Sequence, residues 1–155
     1  MTDPEPIRVL FVCTHNSARS QIAEALLRRD GGDAFEAHSA GTEVTRVNPS
    51  TVRVLDELGI DWTGARSKSV DEFLGQSFDY VITVCDSARA ACPVFPGSST
   101  RVHWDLEDPS RVEGPDEVRL AALRRTREEV AGRLGPFMED ALRTTADRPT
   151  TWPRH

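Results

Sequence analysis

Lysine occurs once in these 155 residues, at Lys68, and the other permanent positive charges are arginines. The net charge is −6, which argues against a broad surface for a phosphate backbone and leaves nucleic acid outside the expected partners. A small anion is still permitted, because a local field acts within a screening length of about 10 Å. Long apolar runs are also missing: none approaches the ~20 residues of a membrane helix. Met1-Thr2-Asp3-Pro4-Glu5-Pro6 lacks the basic and apolar segments of a secretory signal. The expectation is a cytoplasmic monomer with no membrane partner. There are no repeats, so one domain over 1–143 is expected, large enough to bury a core without structural metals or disulfides. The polar, proline-containing stretch 144–155 reads as a frayed tail. Cysteine is scarce, with only Cys13, Cys85 and Cys92. An odd number of thiols in a reducing compartment points to catalytic or redox-active groups. His15, His38, His103 and His155 show no metal-ligand spacing, and no metal centre is expected from them.

The informative stretch runs Val9-Leu10-Phe11-Val12-Cys13-Thr14-His15-Asn16-Ser17-Ala18-Arg19-Ser20 and continues into Gln21–Leu27. It reads as a strand over Ile7–Val12, apolar and buried on both faces, then a short loop, then a helix over about 19–30. In a C-x5-R-S loop of this kind, backbone N–H groups join the unpaired N–H groups of a helix start around one oxyanion. Arg19 adds a planar fork for two oxygens of a tetrahedral anion. A helix start and a neighbouring arginine favour a thiolate, which makes Cys13 the expected nucleophile. Ser20 is placed to donate to that sulfur, and Asn16 tolerates a left-handed turn. Thr14, His15, Asn16, Ser17, Ala18, Arg19 and Ser20 are therefore the expected substrate-binding residues.

Helical and strand patterns alternate along the rest of the chain. Ala34–Ala37 reads as a second strand entering a loop of small residues, His38-Ser39-Ala40-Gly41-Thr42, able to approach the anion loop closely. Asn48-Pro49 starts a helix with apolar Val52, Leu55 and Leu58, ended by Gly59. Val70–Leu74 fits one or two helical turns. Asp79–Val84 is a third strand, delivering Cys85 at its carboxyl end, and Arg101–Trp104 a fourth, followed by the acidic loop Asp105–Pro109. From Asp116 onward Val118, Ala122, Val130, Leu134 and Met138 fit a helical face, which Gly135-Pro136 is expected to kink or divide. The pattern implies an α/β three-layer sandwich: a four-stranded, mainly parallel sheet with helices on both faces. Ligands of such sheets bind at the carboxyl ends of the strands, where Cys13, Ser39, Cys85 and Asp108 all fall.

Cys85 and Cys92 flank residues 86–92, readable as a short helix or a mobile loop. If helical, the two thiols share a face but lie ~10 Å apart along the axis, beyond the roughly 4.4–6.8 Å Cα separation of a disulfide. A bond between them requires that segment to unwind. Two buried free thiols remain the plain alternative.

The stretch Val12–Gln21, Ser39-Ala40-Gly41-Thr42, the Cys85 and Cys92 pair and Asp108-Pro109 together resemble the thioredoxin-coupled arsenate reductases built on the low-molecular-weight protein tyrosine phosphatase fold. The resemblance spans most of residues 7–140. It implies that Cys13 attacks arsenate held by Arg19 and the loop amides, with Asp108 donating a proton to the departing oxygen. It further implies that Cys85 attacks Cys13, releasing arsenite, and that Cys92 resolves the disulfide as Cys85–Cys92 for external thioredoxin to reduce. No metal or flavin is needed; phosphate or sulfate would act as arsenate analogues, and mycothiol or glutathione could replace thioredoxin. Many relatives carry a cysteine where this chain has Ala18, outside the three-thiol relay. Some hold potassium behind the loop; Asn16, Glu24 and Ser39 match part of that site, while Lys68 could supply the charge instead.

Two other readings compete. A phosphatase would use the same Cys13, Arg19 and Asp108 through a phosphocysteine, leaving the Cys85 and Cys92 pair without a purpose. A thiol-based metalloid sensor would need neither Arg19 nor Asp108.

Overall fold

A computed structural model describes residues 5–146. Strand β1 covers Ile7–Cys13, one residue more than expected, and Val9, Leu10, Phe11 and Val12 are all fully buried. Burying each such side chain contributes about 1.5–3 kcal/mol, so β1 anchors the sheet. Helix α1 follows over Arg19–Gly31, and every residue from Arg19 to Leu27 is buried. A helix enclosed on all sides needs no apolar stripe, which is why its sequence shows little periodicity. It stops at Gly32, whose φ of +53° suits glycine.

Strand β2 covers Phe35–Gly41. Residues 38–41, expected as a loop, stay in register with β1 as far as Cys13 opposite Gly41. The close approach was correctly expected: a Cβ on Gly41 would lie 2.7 Å from Thr14 O and 2.9 Å from Asn16 N. Helix α2, Pro49–Asp56, opens as expected, with the Asn48 side chain accepting from Ser50 N at 2.9 Å. Its buried residues are Thr51, Val54 and Leu55, whereas Leu58 is exposed beyond the helix end, so the expected face is rotated and Gly59 closes a turn rather than the helix. A 3₁₀ turn over Val70–Phe73 carries a capping box between Ser69 and Glu72.

Strand β3 is Tyr80–Thr83, helix α3 is Asp86–Ala91, and strand β4 is Thr100–His103. The sheet is parallel throughout, in the order β2-β1-β3-β4. With helices packed around it, this is the expected sandwich. Helix α4 spans Asp116–Ala146 without division, which corrects the break expected at Gly135-Pro136. Packing holds the helix through the proline: Leu134 and Ala141 are buried, and the Phe137 ring meets Tyr80, Trp104 and Phe35 at 5.0, 6.1 and 6.2 Å. The helix also takes in residues 144–146, expected in the tail; the rest of that stretch, 147–155, lies outside the described residues. Val118 is exposed, and Leu120 and Leu123 take the buried face with Ala122, Val130 and Leu134. Among the described residues no helix is long and apolar enough to cross a membrane.

Candidate active site

Strand β1 pairs with β2 on one side and with β3 on the other, so the winding reverses between β1 and β3, and a doubly wound sheet opens a crevice beyond the carboxyl ends of such strands. Cys13 ends β1 there, and Cys85 follows β3 by two residues. A cavity of about 660 Å³ sits over them, with Thr14, His15, Arg19, Cys85 and Asp108 on its wall. Cys13, Asn16, Ala18 and Ser20 are buried and are not on that wall. Ser17 faces a different cavity, and its carbonyl accepts from Asn48 N at 3.1 Å.

The loop holds the Cys13 sulfur from two sides. Asn16 N donates to Sγ at 3.1 Å, and Ser20 Oγ lies 2.7 Å from it. Asn16 Nδ2 donates to Ser20 Oγ at 2.8 Å, which leaves the Ser20 hydroxyl hydrogen free to face the sulfur. Asn16 has a φ of +53°, the only left-handed non-glycine among the described residues, as its residue type suggested. Ala18 gives α1 no side-chain cap, so the helix start keeps its N–H groups for other acceptors.

Arg19 is nearly buried. Its Nη1 donates to Leu106 O at 3.2 Å, and its Nη2 lies 3.7 Å from Asp108 Oδ2. Burial disfavours ionising Asp108, but hydrogen bonds from Ser110 and the charges of Arg19 and Arg111 outweigh it and hold the carboxyl below its ordinary value.

Cys85 is the N-cap of α3. Its sulfur accepts from Ala88 N at 3.4 Å and lies 3.2 Å from Thr14 Oγ1. Cys92 is the C-cap, with its thiol pushed up by burial against the opposing pull of Arg101. All three thiols are free, and the segment between Cys85 and Cys92 takes the helical alternative.

Asn16, Glu24 and Ser39 do converge behind the loop: Ser39 Oγ donates to Glu24 Oε1 at 2.5 Å and accepts from Asn16 Nδ2 at 2.9 Å. The buried Glu24 carboxylate already faces two cations, Arg28 Nη2 at 2.6 Å and Lys68 Nζ at 3.4 Å, and Lys68 N occupies Asn16 Oδ1. This donor set does not fit an additional potassium ion.

Spacing in the sequence did not disclose that Asp86, His103 and Asp105 bring ligand atoms within 4.8 Å of one another. Both aspartates are exposed and His103 Nδ1 meets Thr83 Oγ1 at 2.7 Å, a polar cluster on the rim.

The arsenate reductase of Halalkalibacterium halodurans is 41% identical over 131 residues, covering 84% of this chain and 94% of that protein. An arsenate reductase solved in an oxidized state has a TM-score of 0.72 at 29% identity, over 86% of this chain and 97% of the other. The thioredoxin-dependent arsenate reductase of Corynebacterium glutamicum has a TM-score of 0.63 at 29% identity, over 93% of this chain and 64% of that one. Residues 8–147 match the low molecular weight phosphotyrosine protein phosphatase family, and the chain belongs to it.

Proposed function

We propose that this chain reduces arsenate to arsenite through a three-thiol relay recycled by thioredoxin in the cytoplasm. The observation that carries the reading is the second thiol at the rim of the loop, with Cys85 Sγ 3.2 Å from the hydroxyl of Thr14, the residue after Cys13. Ester hydrolysis has no use for it. The arsenate reductases similar to this chain over most of its length support the same substrate.

Arsenate enters the cavity as a tetrahedral anion, and Arg19 turns its fork from Asp108 and Leu106 toward two of its oxygens. Cys13 forms an S–As bond as one arsenate oxygen leaves. Asp108 is ionised in the free protein, but the negative charge of bound arsenate beside it raises its pKa, so that it carries the proton the departing oxygen needs. Cys85 then attacks the Cys13 sulfur. The S–As bond breaks, its electron pair stays on arsenic, and arsenite departs, leaving a Cys13–Cys85 disulfide. Cys92 attacks Cys85 and frees Cys13. The Cys85–Cys92 disulfide takes two electrons from the dithiol of thioredoxin. Thr14 Oγ1 is positioned to donate to the Cys85 thiolate before its attack.

The test is arsenate-dependent NADPH oxidation coupled through thioredoxin and thioredoxin reductase, on wild type and on Cys13→Ser, Cys85→Ser and Cys92→Ser. Loss of turnover in all three establishes the relay. Turnover surviving Cys92→Ser means that thioredoxin reduces the Cys13–Cys85 disulfide directly, and turnover of that variant restored only by added mycothiol or glutathione assigns resolution to a low-molecular-weight thiol. Phosphate-ester hydrolysis that needs Cys13 alone, without arsenate turnover, makes the chain a phosphatase. We further propose that Lys68 fills the role of a bound cation. Exchanging potassium for sodium at constant ionic strength should then leave kcat/KM unchanged within about twofold, because the Lys68 charge is already next to Glu24.

A further inference from the structure

Gln21 lies in the first turn of α1 and is wholly buried, where an amide is costly unless its polar atoms are matched. Its NH2 group faces three acceptors: Asn16 O at 3.1 Å, Asn16 Oδ1 at 2.9 Å and Arg66 O at 3.0 Å. Its Oε1 accepts from Trp62 Nε1 at 2.8 Å, across 41 residues of sequence. An indole N–H can only donate. Trp62 therefore dictates which way the amide points, since a flipped amide would set its oxygen against three others and its NH2 against the indole N–H.

The anchor itself is held in place. The Arg28 guanidinium stands over the Trp62 ring at 5.7 Å, and Arg28 is tied to Glu24 Oε2 at 2.6 Å and to Ala37 O. At the other end of the chain of bonds stands Asn16, in its left-handed conformation, with its N–H on the Cys13 sulfur. Neither Trp62 nor Gln21 is on the wall of the cavity over Cys13.

We infer that Trp62 is a positioning residue for the nucleophile: its indole N–H orients Gln21, and Gln21 holds Asn16 in the conformation that shapes the anion loop and solvates the Cys13 sulfur. This rests on the reading of that loop as an oxyanion site, and the test separates the two. The Cys13 peptide is followed by mass spectrometry during iodoacetamide alkylation at increasing inorganic phosphate. The proteins compared are wild type, Trp62→Phe, Gln21→Met and the double variant. Phenylalanine keeps an aromatic ring for Arg28 and removes the donor together with one ring of the indole, whereas Gln21→Met removes the amide and leaves Trp62 whole.

Phosphate is expected to protect Cys13 saturably in wild type. Each single substitution should raise the concentration for half-protection about fivefold or more, the effect expected of one buried hydrogen bond. The double variant should be no worse than either single, because both act through the same amide. Two results overturn the inference while leaving the loop's role intact: protection in Trp62→Phe equal to wild type, or single effects that multiply in the double variant, which would assign Trp62 to packing alone. A lack of phosphate protection in wild type overturns the oxyanion loop and this inference with it.

Discussion

The anion loop and the relay segment lie side by side in the crevice and are built in opposite ways. In the loop, Asn16 is wholly buried and each of its polar groups is engaged, by Cys13, Ser20, Ser39, Gln21, Ser67 and Lys68. A saturated buried network of this kind permits one arrangement. In the relay segment, α3 is six residues long, buries only Ala88, and exposes Asp86, Ser87, Arg89, Ala90 and Ala91. So short a helix, with so little buried, has a low cost of opening. In the relay we propose, the nucleophile must stay fixed to hold an oxyanion, whereas the two later thiols must travel to meet. Rigidity and weakness each fall where that proposed chemistry requires them.

The largest effect should come from the rigid side. Arg19→Lys keeps the charge but loses the fork, and arsenate kcat/KM should fall about 100- to 1000-fold, the loss typical of a donor to a developing oxyanion. Steady-state kinetics would measure it. A loss below about tenfold would mean that charge alone holds the substrate and that the planar fork of Arg19 is dispensable.

The weak side should respond in the opposite sense. Ala90 is exposed in α3, and Ala90→Gly destabilises a helix interior by about 0.5–1 kcal/mol. If α3 must unwind, formation of the Cys85–Cys92 disulfide in a single turnover should become roughly two- to fivefold faster, since this energy is removed from the opening step. Rapid-quench alkylation followed by mass spectrometry would resolve it. An unchanged or slower rate would break the contrast and show that the thiols meet without unwinding.

The same contrast governs what could be read from the sequence. The anion loop was legible because its parts are contiguous: strand, Cys13, Asn16, Arg19 and helix start follow one another, and the φ of Asn16 agrees with its residue type. The Asn48 cap was legible for the same reason. The braces behind the loop were not, because Gln21 to Trp62 and Asn16 to Lys68 are pairings across 41 and 52 residues that no periodicity announces. Lys68 was noticed as a candidate charge, but its partner Arg28 on the same carboxylate was not. Pro136 misled for a related reason. A local rule against proline in helices was overridden by Phe137 packing on rings from both ends of the sheet and beyond.

The smallest expected effect belongs to neither region and serves to separate stability from chemistry. Glu57, just past α2, joins that helix to α4 through Arg124 Nη2 at 2.6 Å and Arg127 Nη1 at 2.7 Å. These hydrogen bonds lower its pKa from 4.5 to about 2. A depressed carboxyl stabilises the folded chain fully above its unfolded value and loses that contribution as pH falls through its folded one. The stabilisation from Glu57 is thus whole at pH 7 and fades between 4.5 and about 2. The pair is about a third exposed, so its worth is that of a surface network. Glu57→Gln should lower Tm by about 1–3 °C at pH 7, with a smaller difference at pH 3, while arsenate turnover at pH 7 stays at the wild-type rate. Thermal unfolding at pH 7, 4.5 and 3 (chosen as about the range of the titration) would follow the decline. A Tm difference independent of pH would assign the effect to packing of α2 on α4. A fall in turnover at undiminished folding would mean that the scaffold beneath the anion loop transmits to the nucleophile, and that the fixed region extends beyond the network around Asn16.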